Sequence, residues 1–349
     1  MNQGTLTVGT GGTLGATTGA LSVNNTNTGA GNDATLNLAT AVNTTVGSLS
    51  GAIAPPSGGT NTATINTQTG RTFTVNQTSD ASFAGTIAGA GDFILGGLST
   101  NTLTLTGANT CTGTTTVSAG TLALVGGSHA SPITVSSGAA LDFTLGSPTT
   151  STSTFNLSAG TIKITGTPIL PSYTLISSST GITGTPVLHT PIAGYVLKKV
   201  GNTLVLENPY EAWAAANNAT GGKTGDPDGD LIDNLTEYAF GTDPQSGVQG
   251  PIAYSGGVVT AVGNPVLEED AGVWYAVFGR RTDYVAAGLV YTVEFGAGLD
   301  QWTASVTVPT TVATNGVIDA VRVPFPNFVP TLSGPKKPTF FRVDISETP

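Results

Sequence analysis

The chain of 349 residues is long enough for two or three domains, and only 9% of its residues are charged, against roughly a quarter in an ordinary soluble protein. The formal net charge is −10 and the sequence contains no basic run that could neutralise the phosphates of a nucleic acid, so we predict no nucleic-acid partner. The single cysteine, Cys111, excludes an intramolecular disulfide framework, and no apolar run reaches the roughly 18 residues of a transmembrane helix.

Charge divides the chain near residue 207. Residues 1–207 carry five acidic and four basic side chains, whereas residues 208–349 carry sixteen and seven. Enrichment in Gly and Thr is compatible with disorder, but the apolar residues of the first part alternate with hydroxyl residues, as they do in strands. No charged and then apolar signal segment follows Met1, so we expect a piece of a longer secreted protein, located outside the cell or at its surface.

Short strands separated by turn residues are predicted throughout the first 207 residues. They cover 5–8, 20–23, 35–38, 46–49, 62–65, 72–75, 83–87, 93–95, 102–105, 114–117, 121–124, 133–135, 141–145, 155–157, 161–164, 173–176, 195–198 and 203–206. Such short strands cannot bury their apolar faces alone, so stacking into a β-solenoid with rungs of roughly 20–30 residues is predicted. Threonine would line the outside, and the segments 53–59 and 146–150 would protrude as loops.

Residues 101–124 show the alternation most clearly, and their pattern resembles the autotransporter-associated β-strand repeat of bacterial surface proteins. The positions that match are Gly89, Gly91, Leu103, Leu105, Gly107, Asn109, Gly113, Thr115, Val117, Gly120, Thr121 and Leu122. Cys111 replaces the tyrosine of that repeat, and residues 94–101 are an insertion. The resemblance implies a right-handed parallel β-helix exposed outside the cell. Cys111 itself is predicted as a small semi-buried hydrophobe, because no cation nearby would activate the thiol.

An acidic loop after residue 207 is the clearest chemical motif. An Ala-rich helix is predicted at 209–217, with Asn208 as its N-cap, and a second helix at 234–240. Between them a twelve-residue loop places oxygen ligands at the spacing that wraps Ca²⁺. The predicted ligands are Asp226, Asp228, Asp230, the backbone carbonyl of Ile232, Asn234 and Glu237. Leu231 stands at the sixth position, where glycine is usual, and this predicts a distorted or weak site.

The acidic stretch also resembles the thrombospondin type 3-like or dockerin-like calcium loop of bacterial secreted proteins. That resemblance implies a calcium-stiffened linker over residues 208–247. Longer, more aromatic strands follow at 257–262, 273–279, 289–295, 301–308, 317–323 and 339–345. They predict an antiparallel β-sandwich over 248–349, with Trp274 and Trp302 as core residues.

No local signature of catalysis is present, so the chain is predicted not to be an enzyme. The five acids of residues 1–207 are scattered, and His129 and His189 lie sixty residues apart. The predicted function is therefore a structural stalk or passenger segment of a surface protein. The alternatives are an adhesin that binds glycans or neighbouring cells and, less favoured, a β-helix polysaccharide lyase or hydrolase.

Overall fold

The fold is described by a computed structural model, which covers residues 4–9, 12, 14, 16–26, 32–38, 43–54 and 60–348. The chain forms two compact units. The first comprises residues 1–192 and 197–207, and the second comprises residues 193–196 and 208–349. No helix among the described residues is long and apolar enough to cross a membrane.

The first part of the chain is built from short strands. They are β1 (Gly4–Thr7), β2 (Ala20–Ser22), β3 (Asp33–Asn37), β4 (Thr44–Val46), β5 (Ser48–Ser50), β6 (Thr62–Thr67), β7 (Thr72–Val75), β8 (Ala81–Phe83), β9 (Thr86–Gly89), β10 (Asp92–Leu95), β11 (Thr102–Leu105), β12 (Thr115–Val117), β13 (Thr121–Leu124), β14 (Ser128–His129), β15 (Ile133–Val135), β16 (Ala140–Thr144), β17 (Thr149–Ser151), β18 (Phe155–Asn156), β19 (Thr161–Thr165), β20 (Ser172–Ser178), β21 (Ile182–Thr183), β22 (Val187–Leu188), β23 (Val196–Val200) and β24 (Thr203–Glu207).

Three long parallel sheets run along this unit. They have the orders β4-β7-β10-β12-β15-β18-β21, β8-β11-β13-β16-β19-β22 and β1-β3-β6-β9. Every strand pairing within them is parallel and in register. Phe93 pairs with Thr115 and Thr115 with Ile133, so these two rungs advance by 22 and 18 residues. The predicted parallel β-helix is therefore confirmed.

Stacked side chains fill the interior of the β-helix. Leu103, Leu122, Leu141 and Ile162 occupy one column on successive strands, and each is at most 1% exposed. Many residues of the opposite parity are threonines: Thr102 and Thr104 of β11 are half-buried, whereas Thr121 and Ala123 of β13 are buried as well. Each buried aliphatic side chain contributes roughly 1.5–3 kcal/mol of transfer free energy, so the stack of rungs supplies the core that no single strand could.

One part of the interior is polar. Thr115 Oγ1 lies 2.6 Å from Ser131 Oγ, which lies 2.8 Å from His129 Nε2, and all three residues are at most 2% exposed. Burial lowers the pKa of His129 to about 4, so its ring is neutral at pH 7. Cys111 is fully buried beside these groups, and burial raises the pKa of its thiol. The burial and the raised pKa support the prediction that Cys111 is unreactive, although its side chain is more buried than predicted.

The shortest strands of the β-helix are where the sequence-based predictions were least accurate. The predicted strand 83–87 is two strands, β8 and β9, which belong to different sheets. Strands β14, β17, β21 and β22 were missed, because two or three residues are too few to show an alternation. The predicted loop 146–150 is a short turn, since Thr149 and Thr150 already belong to β17. Most of the other predicted loop, residues 55–59, lies outside the described residues.

An antiparallel hairpin ends one sheet of the β-helix. The sheet β14-β17-β20-β24-β23 begins with parallel pairs, but β24 pairs with β20 in the antiparallel sense. The hairpin therefore covers the free backbone edge of β20, which would otherwise be open to association with another strand.

Gly107, one of the repeat glycines, lies where two rungs approach closely. A Cβ at Gly107 would stand 2.1 Å from the Gly85 carbonyl oxygen, a backbone atom that cannot move aside alone. Gly107→Ala is therefore expected to destabilise the β-helix by about 2–3 kcal/mol in chemical denaturation. Gly97→Ala is the matched control, because a Cβ there meets no atom within 4 Å. Equal stabilities of the two variants would contradict the close approach.

The second unit contains two helices and nine strands among its described residues. They are α1 (Pro209–Ala216), α2 (Asn234–Phe240), β25 (Ala253–Ser255), β26 (Val258–Ala261), β27 (Val266–Asp270), β28 (Val273–Arg281), β29 (Leu289–Gly296), β30 (Thr303–Ala304), β31 (Thr310–Thr314), β32 (Ile318–Pro324) and β33 (Phe340–Glu347). The strands form two mainly antiparallel sheets, of orders β25-β26-β31-β32-β28-β27 and β30-β29-β33. Both predicted helices and five of the six predicted strands are present close to their expected positions. The predicted strand 301–308 is reduced to the two residues of β30.

The two sheets of this unit pack face to face, as predicted for a sandwich. Phe278 and Val321 of the larger sheet share a buried cluster with Val293 and Phe295 of the smaller one. Trp274 was expected in the core, but it is 46% exposed, because it lies at the exposed start of β28, although it has the same parity as the buried Ala276 and Phe278. Trp302 is half-buried beneath the guanidinium of Arg342, 4.7 Å from the ring centroid. Neither tryptophan is thus a fully buried core residue.

Candidate metal centre

Helices α1 and α2 hold the acidic loop at both ends. The Asn208 side chain caps α1 by accepting the Glu211 N–H at 3.1 Å, as the sequence predicts. The Asp233 side chain caps α2 by accepting the Thr236 N–H at 2.9 Å. Asp233 lies inside the acidic run, and its carboxylate is occupied by this cap.

Asp226 organises the turn of the loop. Its carboxylate accepts backbone N–H groups from Gly229 at 2.8 Å, Asp230 at 3.2 Å and Leu231 at 3.0 Å. Although burial opposes ionisation, these bonds hold the pKa of Asp226 below its usual value. The loop therefore has a defined shape built from its own backbone donors.

Three carboxylates converge within this turn. Oxygen atoms of Asp226, Asp228 and Asp230 all lie within 4.8 Å of one another. Burial and the neighbouring charges of Asp230 and Asp226 raise the pKa of Asp228. Like charges held this close repel, which favours a cation among them.

Glu237 and Asn234 of α2 add buried oxygen atoms that have no donor. Both residues are 0% exposed. Within the described chain, no hydrogen-bond donor reaches either carboxylate oxygen of Glu237, Oδ1 of Asn234 or Oδ2 of Asp228. Burial and then the charges of Asp228, Asp230 and Asp226 raise the pKa of Glu237 to about 7. A buried acceptor without a partner is costly, so these atoms require an explanation.

The Asn234 side chain is oriented by its amide nitrogen. Nδ2 donates to the carbonyl of Thr220 at 2.8 Å and to that of Gly222 at 2.7 Å. These two bonds fix the amide so that Oδ1 is the end without a donor. The backbone carbonyls of the segment that follows α1 therefore orient the Asn234 side chain of α2. The sequence motif did not reveal this contribution.

Leu231 takes the conformation that glycine would adopt most easily. Its φ is +73°, in the left-handed region, and its side chain is 93% exposed. For an L-residue this conformation costs roughly 1–2 kcal/mol. The departure from glycine therefore strains the turn locally without placing a side chain among the carboxylates.

The donor set fits a hard cation. It consists of oxygen atoms only, from carboxylates and an amide, and neither histidine nor cysteine takes part. Six to eight oxygen ligands in a flexible loop suit Ca²⁺, whereas Mg²⁺ demands a compact octahedron and keeps several waters. Of the six predicted ligands, the side chains of Asp226, Asp228 and Asp230 are brought together and those of Asn234 and Glu237 carry oxygens without donors. The carbonyl of Ile232 stays a predicted ligand.

Helix α2 anchors the loop in the second unit. Tyr238 is 0% exposed and packs edge-on against Tyr210 of α1, with ring centroids 5.5 Å apart. Phe240 belongs to the buried cluster between the two sheets. Asp243, just beyond α2, adds a further negative charge near Glu237 that the sequence motif did not include.

Residues 98–124 match the family model of the passenger-associated-transport-repeat. The matched segment contains β11, β12 and β13 and fits the repeat of an autotransporter passenger, as its sequence pattern indicated. The repeat suggests a broadly structural, non-enzymatic or adhesive role, an extracellular or cell-surface location and a longer polypeptide. No curated protein and no solved structure matches the chain.

Proposed function

We propose that this chain is a structural segment of a secreted autotransporter passenger, stiffened by Ca²⁺ bound between α1 and α2. The observation that supports the proposal best is the set of four buried oxygen atoms without donors on Asp228, Asn234 and Glu237. A bound cation would satisfy these atoms and reduce the repulsion among the carboxylates.

Binding would tie the loop to the core of the second unit. Asp226, Asp228 and Asp230 belong to the loop, whereas Glu237 belongs to α2, which is packed between Tyr210 and the sandwich. An ion that links both sets of ligands restricts the loop relative to the helix. The extracellular fluid, with millimolar Ca²⁺, matches the affinity of about 10⁻⁴–10⁻³ M that extracellular modules commonly show.

Hydrogen exchange of the loop tests the stiffening directly. The full chain is compared in EGTA and in 10 mM CaCl₂, and peptides covering residues 217–240 are followed by mass spectrometry. Calcium is expected to slow exchange in these peptides by about tenfold or more in the wild type, because the loop opens less often. The double variant Asp228→Asn with Asp230→Asn is expected to lose this protection.

Asp233→Asn is the matched control. It removes one negative charge from the same loop, but Asn retains the capping bond to Thr236 and Asp233 is not among the proposed ligands. Calcium protection should therefore persist in this variant. Equal protection in the wild type and the double variant, or none in either, would reject the proposed site.

A further inference from the structure

The outer face of the β-helix carries a second group of chemically active side chains. Asp142 on β16 pairs in register with Lys163 on β19. The next rung adds His189, whose backbone N–H donates to the Ile162 carbonyl at 2.7 Å. The three side chains line a groove of about 450 Å³. Residues 1–207 contain only nine charged side chains, so this concentration of ionisable groups contrasts with the threonine-rich surface around it.

The charges in the groove do not neutralise one another by contact. Lys163 Nζ donates to Thr121 Oγ1 at 3.0 Å, and no carboxylate of the described residues lies within 4.0 Å of it. Asp142 accepts the Thr165 hydroxyl at 3.0 and 3.1 Å. The ammonium keeps two further donors, and the carboxylate keeps acceptor capacity on both oxygens. A ligand can therefore use both groups.

The groove is held in shape by its surroundings. The Tyr173 hydroxyl accepts the backbone N–H groups of Ile169 at 2.8 Å and Leu170 at 2.9 Å, which fixes the turn that follows β19. Pro168 of this turn and Ile192 provide apolar surface on the lining. The Thr161 hydroxyl lies 3.1 Å from His189 Nδ1 and orients the imidazole, so that Nε2 is left for another partner. A groove prepared in this way loses little conformational entropy on binding.

We propose that this groove binds an acidic sugar residue, one that carries a carboxylate beside vicinal hydroxyl groups. The sugar carboxylate pairs with Lys163 and His189, and a hydroxyl group donates to Asp142. The C–H face of the ring lies against the apolar surface of Pro168 and Ile192. The volume lies in the range of roughly 300–1,000 Å³ that is usual for ligand sites. Such binding would give the passenger an adhesive role, independent of calcium at the α1–α2 loop.

The groove favours a sugar over other anions and over peptides. A simple dicarboxylate or a phosphate dianion would also pair with Lys163, but Asp142 would repel its second negative charge, where the sugar instead presents a neutral hydroxyl donor. An extended peptide gains its affinity by backbone pairing at a sheet edge, whereas Asp142 and Lys163 stand on the face of strands that are paired on both sides. Only side chains are available for recognition here, and together they present a cation, a carboxylate and hydroxyl groups.

Saturation-transfer NMR with the full chain tests the proposal. The probes are D-glucuronate and D-galacturonate, with D-glucose, D-galactose and acetate as matched ligands. Both uronates are expected to bind. The neutral sugars lack the carboxylate that pairs with Lys163 and acetate lacks the hydroxyl group that donates to Asp142, so each of these ligands is expected to bind about tenfold more weakly. Lys163→Met and Asp142→Asn are each expected to weaken uronate binding about tenfold, the fold-change of one charge-assisted hydrogen bond.

Lys199→Met is the matched control, because this cation of the same unit bonds to the Gly184 carbonyl outside the groove. Its uronate affinity should equal that of the wild type, and circular dichroism checks that every variant is folded. No uronate signal, or equal binding by Lys163→Met, would overturn the site. Acetate binding as tightly as the uronates would overturn the sugar assignment, since a simple anion site would then suffice. Asp228→Asn separates the two proposals, because it should abolish calcium binding and leave uronate binding unchanged.

Discussion

Calcium at 10 mM is expected to raise the unfolding temperature of the second unit by roughly 5–10 °C relative to EGTA. A dissociation constant of about 10⁻⁴–10⁻³ M corresponds to a stabilisation of roughly 1.4–2.7 kcal/mol at this concentration. A unit of about 150 residues converts each kcal/mol into a few degrees. The measurement is differential scanning calorimetry of the full chain, in which the β-helix provides an internal reference that calcium should not shift.

Glu237→Gln is expected to remove the calcium effect while raising the stability in EGTA. Glutamine has nearly the same volume, but it places no unpaired charge beside Asp228 and Asp230. This opposite response in the two conditions distinguishes a lost ligand from general damage, which would lower stability in both. An unchanged calcium shift in Glu237→Gln would show that this carboxylate is not a ligand.

The pH dependence of the calcium-free protein follows from the same carboxyl group. The pKa of Glu237 is about 7 in the folded state, against an ordinary value of 4.5. The folded state therefore holds its proton more tightly, and the free energy of unfolding falls as the pH rises from 4.5 through 7. Calcium should counteract this loss above pH 7, and it should bind more weakly below pH 7, where the proton competes.

The β-helix is expected to lose about 3 kcal/mol of stability between pH 7 and pH 4 because of His129 alone. Its pKa is lowered to about 4 in the folded state, against 6.5 for the free side chain. The unfolded chain therefore binds a proton that the folded chain excludes, and the loss develops as the pH falls from 6.5 towards 4. Denaturant titrations at pH 7, 5.5 and 4 measure the free energy of unfolding.

His129→Gln isolates this contribution. Glutamine can still bond to Ser131, although at some cost in stability at pH 7, and it does not titrate. The difference between wild type and variant should therefore shrink or reverse by about 3 kcal/mol as the pH falls to 4. Thr116→Val, on the outer face of the strand that carries Thr115, should keep the wild-type slope. Parallel pH profiles for wild type and His129→Gln would mean that His129 is solvated.

The local pattern of the chain was enough to predict most of the architecture. Alternation in 72–75 and 102–105 reports directly which side chains face the interior, because each strand has a period of two. The loop from Asp226 to Glu237 was readable for a similar reason, since its candidate ligands lie within twelve consecutive residues. The helix boundaries at Asn208 and Gly241 follow from capping, which is also local.

Features that depend on distant residues were predicted poorly or not at all. The short strands β14, β17, β21 and β22 exist because neighbouring rungs offer them backbone partners, and two or three residues contain no signal of that kind. Trp274 is exposed because it lies at the start of β28, outside the buried middle of the strand, although it shares a face with Ala276 and Phe278. The presence of an aromatic residue in a strand does not show whether that residue is buried, so the prediction that Trp274 is a core residue was wrong.

The sequence by itself determined the class of the fold, the position of the acidic loop and the identity of its candidate ligands. Only the tertiary structure decided that Asn234 and Glu237 present buried oxygens without donors, because burial arises from the packing of α2 on the sandwich. It also decided that Asp142, Lys163 and His189 meet in one groove. Residues 21 and 26 positions apart become neighbours only when rungs stack in register, and the length of each rung is set by its turns, which no local pattern specifies.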